Sequence, residues 1–198
     1  MRWFAALLLL ALPVQAEEVV LGLSQDQVSI DTDFDGSEIL IFGAVKREAA
    51  ILDDPPLEVL VTVEGPDRPL TVRRKDRRFG IWVNVDAVEI DAAPSFYAVA
   101  TSSPWEEVIS HTEDLRHAIS IPRAIRSVGA PAGVEDSQAF TDAVIRIRRG
   151  AELYTRKENA VDLREATLFD TSIALPANLT EGLYTTRVFL TRDRAVVA

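Results

Sequence analysis

Apolar and polar residues alternate in short runs between residues 19 and 101, and turn residues break the runs at near-regular intervals. That is the pattern of half-buried strands in a β-sandwich. Residues 19–23 open the series, and Val28-Ser29-Ile30 follows. Residues 38–45 are apolar almost throughout, which predicts a strand covered on both faces. Residues 57–63 run into Gly65-Pro66-Asp67, a turn, because glycine admits positive φ and proline donates no ladder bond. Leu70-Thr71-Val72 leads into the basic run Arg73-Arg74-Lys75-Asp76-Arg77-Arg78, expected at a hairpin tip. There its charges stay solvated, and an anion site is not needed to explain them. Ile81, Val83 and Val85 alternate on the return, and residues 96–100 close the series.

The period changes at Pro104. Trp105, Val108, Ile109 and Leu115 have roughly helical spacing, which predicts a helix over 105–119. Phe140, Ala143, Val144 and Ile147 fall at i, i+3, i+4 and i+7, on one face of a second helix. Asp136 or Ser137 caps its start, Arg146, Arg148 and Arg149 suit its C-terminal dipole, and Gly150 suits a left-handed stop. Strand signals return after residue 167. Phe79…Val83-Asn84-Val85 followed by Pro94-Ser95-Phe96-Tyr97 parallels Phe169…Ile173-Ala174-Leu175 followed by Gly182-Leu183-Tyr184. Each is an alternating strand, a polar corner and a second strand entered through a tyrosine, as at the E–F corner of immunoglobulin-like sandwiches. Two related halves, or one sandwich with a helical insertion, both produce this.

The first sixteen residues differ in kind. Arg2 is a short positive region, residues 3–14 are apolar, and Val14-Gln15-Ala16 offers small residues to a peptidase. A membrane span needs about 20 apolar residues, so this is expected to be a cleaved export leader with the mature chain starting at Glu17. Without it 182 residues remain, enough for a core that needs neither metal nor disulfide. No cysteine is present, which excludes disulfides, thiolate nucleophiles and cysteine-ligated metals. Net charge is −10, from 31 acidic and 21 basic residues. Such a surface repels phosphate backbones and anionic lipid headgroups, and it argues against a nucleic-acid partner.

Candidate chemistry is sparse. Asp31, Asp33 and Asp35 with Gly36 match the first half of a calcium loop, D-x-D-x-D-G. The twelfth position is Phe42, where a bidentate glutamate is needed, so a polar hairpin turn is the expected role. His111, Glu113, Asp114 and His117 cluster in the first predicted helix. Two histidines six residues apart point about 240° apart on a helix, so a shared metal is not expected, and Asp114 is placed to pair with either. No nucleophile elbow, phosphate loop or dinucleotide fingerprint occurs. Trp82 and Trp105 are expected in the core or in helix packing. No catalytic residue and no cofactor are assigned.

The leader, the segment Ile30…Phe34-Asp35-Gly36-Ser37-Glu38-Ile39-Leu40-Ile41-Phe42-Gly43, Pro94-Ser95-Phe96-Tyr97 and Leu175-Pro176-Ala177-Asn178…Gly182-Leu183-Tyr184 together resemble the alphaproteobacterial putative transmembrane protein family. The resemblance implies an exported domain followed by a C-terminal membrane helix, and it offers no established catalytic residues to carry over. The sequence ends at Ala198 without such a helix, so truncation of a longer, inner-membrane-anchored protein is expected, with that anchor as its only membrane contact. The expected architecture is therefore mainly β: a leader at 1–16, a first immunoglobulin-like sandwich part at 17–103, a pair of inserted helices within 104–166, and closing strands at 167–198. The expected function is a non-enzymatic periplasmic interaction domain with a membrane protein or other protein as partner, such as a transporter accessory. A small-ligand-binding module and a carboxylate-based hydrolase are the alternatives.

Overall fold

The computed structural model describes residues 18–25, 27–28, 35–47, 51, 54–127 and 136–198. Two sheets carry the fold. The first contains β1 (Glu18–Leu23), β2 (Gly36–Lys46), β9 (Leu168–Pro176) and β8 (Val161–Arg164), in that order and antiparallel throughout. The second runs β11 (Ala195–Val196), β10 (Thr185–Arg192), β3 (Leu57–Glu64), β6 (Tyr97–Thr101) and β7 (Tyr154–Lys157). Only its β6–β7 pair is parallel. Ile41, Val45, Phe169 and Ile173 of the first sheet share one core with Val59, Val61, Val99 and Leu190 of the second. A third pair, β4 (Asp67–Arg78) with β5 (Ile81–Pro94), forms a long hairpin of its own.

The molecule is mainly β, with helices between β6 and β7, as the alternation predicts. It is one sandwich rather than two related halves, because β2 pairs with β9 and β3 with β10. Each sheet therefore takes strands from both ends of the chain. β3 and β6 are buried along nearly their whole length. One face meets the other sheet, and the helical segment lies over the other.

Among the described residues four helices stand where a pair was expected: α1 (Trp105–Val108), α2 (His111–His117), α3 (Ile121–Ala124) and α4 (Ser137–Gly150). The predicted helix over 105–119 is broken at Ile109, whose extended backbone separates α1 from α2. Ser110 then caps α2 by accepting the Glu113 amide at 3.4 Å, and Ala118 ends it at φ 50°. The segment 104–166 also holds β7 and β8, one for each sheet, so it is not purely helical. In α4 Asp136 provides the cap, accepting the Ala139 amide at 3.2 Å. The buried residues are Phe140, Val144 and Ile145, whereas Ile147 is 63% exposed. The packed stripe continues to Arg148, which donates to the Ser95 carbonyl at 3.1 Å, and this turns Ile147 outward. Gly150 is the last helical residue, and the left-handed position falls at Glu152, φ 60°.

β2 is covered on one face only. Ile41 and Val45 are buried while Leu40 and Phe42 are exposed, so its unbroken apolar run reflects an uncovered outer face and not a second buried one. Of the two tyrosine corners, one exists. Tyr184, just before β10, donates to the Thr180 carbonyl at 2.7 Å, the local back-bond of a tyrosine corner. Tyr97 instead donates to the Ile119 carbonyl at 2.8 Å, across to the helical segment.

Candidate functional site

The basic run does not form a tip. It lies within β4, and the tip is Phe79-Gly80 beyond it. At the base of the hairpin Leu70 pairs with Ile90 and Val72 with Val88, and the Val88 and Ile90 side chains are buried. Arg74 ion-pairs with Asp86 and sits over the Phe140 ring of α4, 5.6 Å from its centroid. These contacts fix the base. A register shift follows, with Arg74 opposite Asp86 but Lys75 opposite Asn84. A bulge of this kind bends and twists the strand.

Beyond the bulge the hairpin leaves the body, and every residue from Arg73 through Trp82 is exposed. Arg77 pairs across to Trp82 and Arg78 to Ile81, so each face of the ribbon places a guanidinium beside an apolar side chain. Phe79 (φ 51°) and Gly80 (φ 86°) form a two-residue turn with both residues left-handed. Asparagine or aspartate followed by glycine suits such a turn. A bulky side chain at positive φ is strained, yet here it is a fully exposed phenylalanine. Trp82, expected in the core, is 68% exposed. Asp76 accepts from the Arg77 amide at 2.7 Å and pairs with Arg78 at 3.3 Å. Arg73, Lys75 and Arg77 have no carboxylate partner among the described residues.

A second apolar surface lies on the outer face of the first sheet. Val20, Leu40, Phe42 and Leu168 are all exposed there. Ala44 links Val20 to Leu168 through its two cross-strand pairings, and Phe42 lies opposite Gly22. A Cβ at Gly22 would stand 2.6 Å from Cε2 of the Phe42 ring, so glycine is what lets that ring lie flat across β1. Trp105, the other tryptophan assigned to packing, is partly buried against the core with the Arg156 guanidinium 5.4 Å from its ring centroid.

A cavity of about 680 Å³ opens at one end of the sandwich, lined among others by Val28, Ile39, Leu179 and Tyr184, with Gln27 and Glu181 at its polar margin. Of the calcium candidates, Asp31 and Asp33 lie outside the described residues. Asp35 is exposed and borders a separate cavity of about 610 Å³, together with Glu152 and Lys157. Among the described residues no three His, Asp or Glu side chains converge on a metal position.

The histidine cluster is structural in its contacts. Glu113 pairs with Arg116 at 2.7 Å and with His117 Nε2 at 3.4 Å. Asp114 pairs with neither histidine and accepts the Ser120 amide at 2.6 Å, closing the turn between α2 and α3. Arg187 of β10 then fastens this unit to the sheet. Its Nη1 donates to the His117 carbonyl at 3.0 Å, and its Nη2 to the Tyr97 hydroxyl at 3.2 Å. Burial pushes the Glu64 carboxyl upward more strongly than Arg187, 3.8 Å away, draws it down.

The exposed tip was hidden in the sequence because Ile81, Val83 and Val85 alternate as a packed strand would. The signal for it was the aromatic pair Phe79 and Trp82 beside the basic run. Fold and surfaces together define a mainly β, two-sheet domain with a projecting basic hairpin and an uncovered apolar sheet face. The chain belongs to the alphaproteobacterial family described as putative transmembrane proteins, whose profile matches residues 18–198. That description assigns no reaction. No curated protein and no solved structure matches the chain. Among the described residues no helix is long and apolar enough to cross a membrane.

Proposed function

We propose that this is a non-enzymatic interaction domain, exported to the periplasm and held at the inner membrane, with a membrane protein as partner. A transporter accessory is the specific form of this reading. Its principal support is the outer face of the first sheet, where Val20, Leu40, Phe42 and Leu168 are exposed on one face. Large exposed apolar patches on folded domains mark partner surfaces. Family membership supports the membrane side, and the leader at residues 1–16 supports export. Strand order supports an immunoglobulin-like sandwich. With β1, β2, β3, β8, β9, β10 and β11 lettered A to G, the first sheet reads A-B-E-D and the second begins G-F-C, the order of that fold, before continuing into β6 and the parallel β7.

The test is site-specific photocrosslinking in the native host. A crosslinker at Phe42 or Leu168 is expected to trap one membrane protein at defined mass, while one at Glu89 on the hairpin traps none of it. Equal or absent labelling at all three positions rejects the sheet face as a partner surface. A second reading, a small-ligand-binding module, is favoured by the 680 Å³ cavity, which lies within the size range of ligand pockets. It predicts that Leu179→Trp, filling that space, abolishes ligand capture without altering the crosslink at Phe42.

A further inference from the structure

We propose that the tip of the β4–β5 hairpin docks on an anionic phospholipid surface, with Phe79, Ile81 and Trp82 entering the headgroup region and Arg73, Lys75, Arg77 and Arg78 meeting the lipid phosphates. This rests on the reading that the domain works beside a membrane, and it names the lipid contact. Three independent observations converge on one element.

The first is composition against position. Residues 73–86 hold five of the chain's 21 Lys and Arg but only two of its 31 acids. A locally cationic tip on a protein of net charge −10 is complementary to anionic headgroups, each nearby Lys or Arg strengthening attraction about fivefold. The second is reach. From Lys75 to Phe79 the ribbon extends about 13 Å past the bulge at strand rise. Salt screens charges over about 8 Å at physiological ionic strength. The acidic body therefore repels the lipid surface only weakly when the tip touches it. The third is the turn itself. Phe79 stands at φ 51° where asparagine or aspartate would sit without strain, and its side chain touches nothing in the protein that would explain the choice. Strain retained at an exposed apex points to use at that apex. Trp82 stands opposite Arg77 in the ribbon, and tryptophan is favoured at the bilayer–water interface while arginine meets the anionic headgroups beside it.

The experiment uses the full chain with Trp3→Phe and Trp105→Phe, which leaves Trp82 as the sole emitter of the three tryptophans. Vesicles of phosphatidylcholine, with and without phosphatidylglycerol, are titrated in, some carrying brominated acyl chains. The expected result is a blue shift of Trp82 and bromine quenching that require phosphatidylglycerol and weaken with salt. Phe79→Asn should lower the partition coefficient about tenfold, the worth of one buried aromatic ring. It should do so without lowering the melting temperature, since asparagine relieves the turn. Arg77→Gln and Arg78→Gln should each lower it about fivefold.

Water-exposed Trp82 emission on vesicles that nevertheless carry the protein down overturns the proposal. In that case another segment holds the membrane, and the membrane-side reading survives. A shift equal on neutral vesicles overturns it too, as does a shift seen only with a solubilised membrane protein. Loss of the Phe42 crosslink, by contrast, counts against the interaction domain and leaves the tip untouched.

Discussion

Tyr97 and Tyr154 carry their hydroxyls deep into the protein, donating to the carbonyls of Ile119 at 2.8 Å and Pro94 at 2.7 Å. Burial, only partly opposed by Arg187 and Arg148 respectively, pushes both phenols up to about 12. Below about pH 10 both are protonated whether the chain is folded or not, and their contribution is fully present. As pH rises from about 10 to 12 the unfolded chain loses protons that the folded protein keeps, so stability falls through that window. The expected loss is on the order of 2 kcal/mol for each tyrosine. Denaturant melts between pH 9 and 12 check it, and Tyr154→Phe should remove about half the slope. A melt midpoint flat across that window would refute the burial of these groups. Sequence alone singled out Tyr97 and Tyr184 as equivalent. The flanking residues carry only the local corner, which Tyr184 makes with Thr180. The partner of Tyr97 lies 22 residues away, in the connection between α2 and α3, which no local pattern specifies.

Amphipathic spacing located α4 and its cap correctly, because a long periodic run with an acidic start constrains the helix strongly. It misjudged which stripe packs. Spacing by threes and fours fits 140, 143, 144 and 147 as well as 140, 144, 145 and 148. Arg148 decides between them through its bond to Ser95, a contact across 53 residues. Val144→Asp, which buries an unpaired charge, should therefore cost several kcal/mol or prevent folding. Ile147→Asp should change stability by less than about 0.5 kcal/mol, as exposed substitutions do. Chemical denaturation of the two variants separates them, and equal destabilisation would restore the stripe through Ile147. The hairpin shows the same limit on the β side. Alternation at Ile81, Val83 and Val85 says that a strand exists, but not whether anything covers it. A two-stranded ribbon and a sandwich strand differ in their neighbours, and neighbours are set by the rest of the chain.

Across the whole molecule the sheets are braided from distant segments. β2 lies between β1 and β9, and β3 between β10 and β6, so residues 17–103 alone would expose both strands along an unpaired edge. That fragment is expected to show no cooperative melt, whereas residues 17–198 should unfold in one transition by circular dichroism. An independently folding 17–103 would contradict the interleaving. Alternating runs made the mainly β class legible. The one-sandwich topology was not legible, because register and strand order depend on pairings as far apart as Ser37 with Leu175.

The grip of Arg187 on the His117 carbonyl also has a schedule built into it. The two residues are 70 positions apart. At typical synthesis rates α2 exists for roughly 4–14 s before the arginine that pins it has been made. The last strands act as the latch, and until β10 is made the turn after α2 lacks its Arg187 bond.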